Sequence, residues 1–143
     1  MVRPRRNTQE QTRPRGRRLA NSNRGQSLVE FAFVVPILFI LVFGIIDFGV
    51  GLHSWITVTN AAREGARLGA VHGTQAEVIA RVHERASNLD QASLDVLVTN
   101  AEGDPGQPVR VQVDYEYDLI TPLGSILHMP SLDMSAKSEM RIE

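Results

Sequence analysis

The chain of 143 residues contains no cysteine, which excludes a disulfide framework and a thiolate metal centre. Its four histidines, His53, His72, His83 and His128, fall in neither HxxxH nor HExxH spacing, so the usual pattern of a zinc site is missing. There is no P-loop and no GxGxxG to cradle a phosphate. The serines form no Ser/His/Asp pattern that a sequence alone supports. Asp114, Glu116 and Asp118 line one face of a predicted strand and offer oxygen ligands for calcium, but the alternation of polar residues on an outward face accounts for them more simply. Cations are scarce after Gly25, where 15 carboxylates stand against seven Lys and Arg. These absences argue against an enzyme, and they imply no cofactor and no metal.

What the chain does have is one long apolar run. From Phe31 to Ile46 there is no charge and no strongly polar residue. Counted outward to Leu28 and Leu52 the run reaches about 25 residues, enough to cross a hydrocarbon core of roughly 30 Å as a helix. Glu30 and Asp47 interrupt it near its two ends. Pro36 removes one backbone donor and predicts a kink that a membrane helix tolerates. Gly44, Gly49 and Gly51 thin the far half, which is expected to be partly unwound or closely packed. Asp47 would cost about 2.5–3.5 kcal/mol at the centre of a bilayer and less near an interface. Its place near the outer end, with Trp55 beyond it as an interfacial anchor, suits the cheaper case.

Charge orients this span. Residues 1–25 carry eight arginines against Glu10 alone, and a basic block directly before a span stays cytoplasmic. The leader is also poor in apolar side chains, so disorder is expected there. The block adjoins a span, which favours membrane orientation over nucleic-acid binding. The apolar run is too long for a secretory signal peptide, and the small residue Gly25 precedes it, where a signal peptide would have it follow. Three segments result: a basic disordered leader at 1–25, a transmembrane helix at 26–55, and an extracytoplasmic domain at 56–143.

Beyond the span, the helix is expected to continue to Val71 and to end at Gly73. Unbroken from Ser27, it would measure roughly 65 Å at 1.5 Å per residue. Ser27 and Glu30 have the spacing of a capping box. Ala61, Gly65 and Gly69 recur every four residues, as do Ala62, Ala66 and Ala70, and this small-residue face lets another backbone approach closely. Glu64 is within reach of Arg67. Thr74 and Glu77 form a second capping box, opening an amphipathic helix to Leu89 with Ile79, Val82, Ala86 and Leu89 on one face and a Glu77–Arg81 pair. From Ser93 the period changes to two. Leu94, Val96 and Val98, then Val109 to Leu119, then Leu132 to Ile142 read as three strands, each with one buried face. Asn100 to Pro108 is a turn-rich loop. Ile120 to Ser131 is a connection with a small apolar patch at Ile126 and Leu127. The fold class is α+β: a long N-terminal transmembrane helix extended outside the membrane, a short second helix and a small antiparallel sheet of about three strands.

A resemblance enters at Gly25-Gln26-Ser27-Leu28-Val29-Glu30-Phe31. This stretch resembles a type IV prepilin processing site: a small residue, four residues, then Glu and an aromatic, directly before an apolar helix. Phe31 to Val71, with its GIIDFG and NAAREGARLGA, is similar to the TadE-like pseudopilins of bacterial Tad (Flp, type IVb) pilus systems, and the C-terminal AKSEMRIE is similar to that family's end. The resemblance implies a pilin-like fold and cleavage between Gly25 and Gln26 by a membrane aspartyl prepilin peptidase. It also implies that Glu30, beside Phe31, pairs with the free N-terminal amine of a neighbouring subunit. The partners it implies are the lipid membrane, the peptidase, other pilin-like subunits and the Tad machinery, with no nucleic acid. The role it implies is that of a minor component in assembly of an adhesive or secretion-associated pilus. Two other readings compete: an uncleaved single-pass anchor displaying a binding domain, and a membrane-tethered hydrolase using Asp114, Glu116 or a histidine.

Overall fold

A computed structural model of the protein describes residues 22–143, with side chains from Gly25 onward. Most of the leader expected at 1–25 therefore lies outside the described residues. The elements in chain order are α1 (Ser22–Ala70), α2 (Gln75–Arg85), a single 3-10 turn (Gln91–Ser93), β1 (Leu94–Thr99), β2 (Pro108–Asp118), α3 (Leu123–Leu127) and β3 (Ser131–Arg141). The α+β class expected from the sequence is the class observed.

Two compact units are distinguished along the chain, with the division after Pro36. In the first, α1 begins at Ser22, five residues before the expected start. Ser27 is thus inside a helix and is not an N-cap, because its backbone is already helical on both sides. The remainder of α1 and everything after it form the second unit.

In this second unit the strands form an antiparallel sheet in the order β1-β2-β3. Leu94 of β1 faces Tyr115 of β2, and Pro108 of β2 faces Arg141 of β3. Central β2 alternates as the sequence predicts: Val109, Val111, Val113, Tyr115 and Tyr117 are buried. The third strand departs from expectation. Of its predicted inner face only Ala136 and the flanking Ile142 are buried, and Leu132 is exposed. It is an edge strand, so part of its apolar side has no layer over it. The connection before it also holds an unpredicted single turn of helix, α3.

The core is thin. Its largest fully buried side chains are all valines: Val58, Val78, Val82, Val109, Val111 and Val113. Each contributes about 1.5–3 kcal/mol on leaving water. Valine is short, so the helix and the sheet must lie close together for these methyls to touch. The alanines Ala61, Ala62, Ala66 and Ala70 of α1 join the same cluster and permit that approach.

Helix ends follow local chemistry. Both bonds of the Thr74–Glu77 capping box are present. Glu77 spends its carboxylate on the Thr74 amide and hydroxyl, each at 2.9 Å. The expected Glu77–Arg81 pair gives way to Arg81–Glu84 at 3.1 Å. Helix α2 also ends at Arg85, four residues before the predicted Leu89. At the end of α1 it is His72, with φ of 65°, that takes the left-handed conformation. Gly73 is needed for a different reason: a Cβ there would lie 2.8 Å from the Leu68 carbonyl oxygen, which accepts the Gly73 N–H at 3.0 Å.

Candidate functional site

The processing-type motif sits on exposed helix. Gly25, Gln26, Glu30 and Phe31 are all exposed, and nothing lies within 4 Å of where a Cβ on Gly25 would stand. The Gln26 side-chain amide donates to Glu30 Oε1 at 3.1 Å. An amide leaves a carboxylate's charge uncompensated, and Glu30 makes no salt bridge among the described residues. Large apolar side chains flank it on both sides, with Leu28 and Val29 exposed before it. Phe31, Phe33 and Val34 are exposed in the first unit; Ile37, Leu38, Phe39, Ile40, Leu41 and Ile45 are exposed in the second. A helix that is apolar on every side is the kind that is buried, in a protein core or in a membrane. By length and composition Gly25–Ala70 is sufficient to cross a membrane.

The small-residue face lies further along α1, inside the folded unit. Ala61 and Ala66 are fully buried. A Cβ on Gly65 would lie 2.7 Å from Val82 Cγ2, and one on Gly69 would lie 2.9 Å from Val109 Cγ2. The groups received here are valine methyls from this chain's own α2 and β2.

The family model for TadE-like proteins matches residues 25–67. No curated protein and no solved structure matches the chain. The TadE-like region thus runs from the processing-type motif through the exposed apolar stretch to Gly65, and stops before Gly69. The C-terminal AKSEMRIE lies outside it.

Within the TadE-like region the structure also picks out Asp47, which the sequence presents as a polar interruption near the end of a span. Asp47 is 6 % exposed. Its Oδ1 accepts the backbone N–H groups of Ile120 at 3.1 Å and Thr121 at 3.2 Å. Its Oδ2 accepts the Thr121 hydroxyl, and its backbone carbonyl accepts the Tyr117 phenol at 3.3 Å. Burial pushes the Tyr117 phenol up, with the nearby Asp47 carboxylate acting in the same direction. Asp47 therefore fastens the end of β2 to α1. The signal in the sequence was a lone carboxylate after an uncharged run; its partner Thr121 lies 74 residues away, beyond any local pattern.

Helix packing by the domain begins at this residue. A Cβ on Gly51 would stand 3.4 Å from the Tyr117 ring and 3.5 Å from Met134 Cε, whereas Gly44 and Gly49 face open space. Close packing therefore occurs at Gly51, and α1 stays helical through all three glycines. Asp47, Gly51 and Ser54 are buried although they fall within the segment 26–55 expected as the span.

The remaining candidates are surface groups. Asp114 accepts from Gln112 at 2.7 Å and Glu116 from Ser131 at 2.7 Å. His83 bonds to Gln91 at 2.8 Å and His53 to Asn88 at 3.2 Å. The Glu64–Arg67 pair is formed at 2.7 Å, with Arg85 at 3.6 Å from the same carboxylate. The hydrogen bond from Arg67 holds the Glu64 carboxyl down at about 2.

Proposed function

We propose that this protein is a minor, TadE-like pilin component required for assembly of a Tad/Flp type IVb pilus, and that it is cut between Gly25 and Gln26 by a prepilin peptidase. One observation carries the reading: the TadE-like match begins at Gly25, the first residue of the processing motif that leads into the apolar helix. On this reading the protein is a substrate and has no catalytic activity, cofactor or nucleic-acid partner of its own.

Residues 26–55 enter the membrane and 56–143 form the outer domain, with the basic leader on the cytoplasmic side. The hydrocarbon part gives out near Asp47, because the folded domain covers one side of the helix from there. Leu28 to Ile46 is then the lipid-facing stretch, and its count of about 19 residues suits a bilayer core.

Cleavage would convert the Gln26 nitrogen to an amine one helical turn from Glu30. A carboxylate at the edge of hydrocarbon needs a cationic partner, and in an assembly that partner is the new amine of a neighbouring subunit. In the uncut chain the Gln26 side-chain amide occupies Glu30 instead.

The test is the N-terminus of the protein from its own host, read by mass spectrometry for wild type and for Gly25→Leu. The expected result is a wild-type start at Gln26 and an intact precursor in the variant. A wild-type start at Met1 or Val2 would leave an uncleaved anchor displaying its outer domain. A variant trimmed like wild type would move the cut elsewhere.

A further inference from the structure

The connection between β2 and β3 begins beside Asp47, where the uncharged apolar stretch of α1 ends. Direction follows from contacts along β2. Val109 packs on Gly69, Val111 on Gly65 and Tyr117 on Gly51, so β2 runs antiparallel to α1 and ends at the same level as Asp47. The segment that follows, Leu119–Pro130, emerges beside Asp47, whose carboxylate holds the first two turn amides, Ile120 and Thr121. Asp47 is also the residue that ends the uncharged apolar stretch of α1.

This segment is unlike the rest of the domain surface. It contains no Asp, Glu, Lys or Arg, although Asp118 and Asp133 stand close on either side. Four of its apolar side chains point into solvent: Ile120 is 63 % exposed, Ile126 57 %, Leu127 55 % and Met129 52 %. A cluster of large apolar groups facing water marks a contact.

The loop is built to hold that display. Leu119 N–H donates to the Pro130 carbonyl at 2.9 Å, closing its neck, and Met129 N–H donates to the Gly124 carbonyl at 2.9 Å. Leu123 and Gly124 are buried, so they anchor α3 from below while Ile126 and Leu127 project from it.

We propose that Leu119–Pro130 docks into the interfacial layer of the same bilayer that α1 crosses, with Ile126 and Leu127 inserted at the boundary between headgroups and acyl chains. The exposed apolar surface of Ile37–Ile46 and that of the loop lie at one end of the folded unit. An uncharged, apolar turn beside a span suits interfacial insertion. The loop would act as a second foothold that limits swinging of the domain about the helix. The inference rests on the reading of α1 as a span.

The test uses the full chain in phosphatidylcholine/phosphatidylglycerol nanodiscs. Because the protein has no cysteine, nitroxide labels at Leu127→Cys, Ile126→Cys, Phe39→Cys and Leu97→Cys each report one position. Collision with oxygen, which partitions into lipid, is compared with collision with a water-soluble nickel chelate. Phe39→Cys reports the span, and Leu97→Cys reports an exposed apolar site on β1. The expected result is an oxygen-to-nickel ratio at 126 and 127 several-fold above that at 97 and below that at 39. A lipid-like ratio at 39 with a water-like ratio at both 126 and 127 would overturn this proposal alone. Water-like ratios at all four sites would overturn the span as well. Labels at 126 and 127 shielded from both reagents would mean a protein contact, such as a second copy, and would also overturn lipid docking.

Discussion

Ile37–Ile46 and Ala61–Ala70 are two stretches of one helix with opposite constitutions. The first is made of large apolar side chains and leaves nearly all of them exposed; the second buries glycine and alanine beneath α2 and the sheet. Size and burial are inverted, as the proposed membrane reading requires of two stretches with different solvents. On that reading the large side chains of the first meet lipid tails, which fill any shape. In the second, a sheet carrying short valines must come close, and a large helix residue would hold it off.

The same substitution in both stretches tests this contrast. Gly65→Val adds a Cβ 2.7 Å from Val82 Cγ2 and 3.4 Å from Val111 Cγ1, and both neighbours are β-branched and stiff. Overpacking of this kind should cost about 2–3 kcal/mol of domain stability. Chemical denaturation of the detergent-solubilised full chain reads the effect. An unchanged midpoint would mean that the small residues are not required by packing within the chain.

Asp47 sits at the changeover, and its removal sharpens where the boundary lies. In Asp47→Ala the amides of Ile120 and Thr121 and the Thr121 hydroxyl lose their acceptor. The expected loss is about 1–3 kcal/mol, because three part-buried donors lose a charged acceptor. It should appear as faster amide hydrogen exchange at Ile120 and Thr121 with little change in central β2. Exchange raised uniformly across the sheet would make Asp47 a global support in place of a local latch.

Further along α1, electrostatics adds a smaller increment. The Glu64 carboxyl is held at about 2 in the fold, against about 4.3 in an unfolded chain. The folded value is depressed, so the contribution is complete above about 4.3 and is lost as pH falls toward 2. Arg67 and Arg85 are largely exposed, which screens the pair and limits its worth to about 1 kcal/mol or less. Glu64→Gln should remove that increment at neutral pH and flatten the acid limb between about pH 4.3 and 2. An acid limb as steep as wild type would assign the effect to other carboxylates.

How much of this was legible depended on the range of each interaction. The strands, the second capping box and the long helix are set by neighbours within a few residues, and period-two alternation over Val109–Tyr117 fixed the core face of β2. The start of α1 at Ser22 was missed because a capping box at Ser27 looks complete in isolation. The shortened inner face of β3 depends on which strand lies at the edge, information that alternation does not contain. Likewise Glu77 satisfies its cap and Arg81 turns to Glu84, a competition between two local rules that spacing alone leaves even. In the candidate site, the run from Gly25 to Phe31 stood out through residue type and position, whereas the Asp47–Thr121 contact required the whole fold.

The smallest expected effect on the domain closes the comparison. Gly44 lies in the exposed stretch, and a Cβ there meets nothing within 4 Å. Gly44→Val therefore has no neighbour to displace, and valine forms helix somewhat better than glycine. The stability of the folded domain should stay within about 0.5 kcal/mol of wild type, as for a surface change away from any special feature. A loss comparable to that of Gly65→Val would show that the two stretches share one packing regime, and the division of α1 between two solvents would fail. If domain stability holds while assembly of the protein with other subunits declines, the open space at Gly44 is occupied in the assembly. Small residues would then serve close approach at both levels of α1, within the chain at Gly65 and between chains at Gly44.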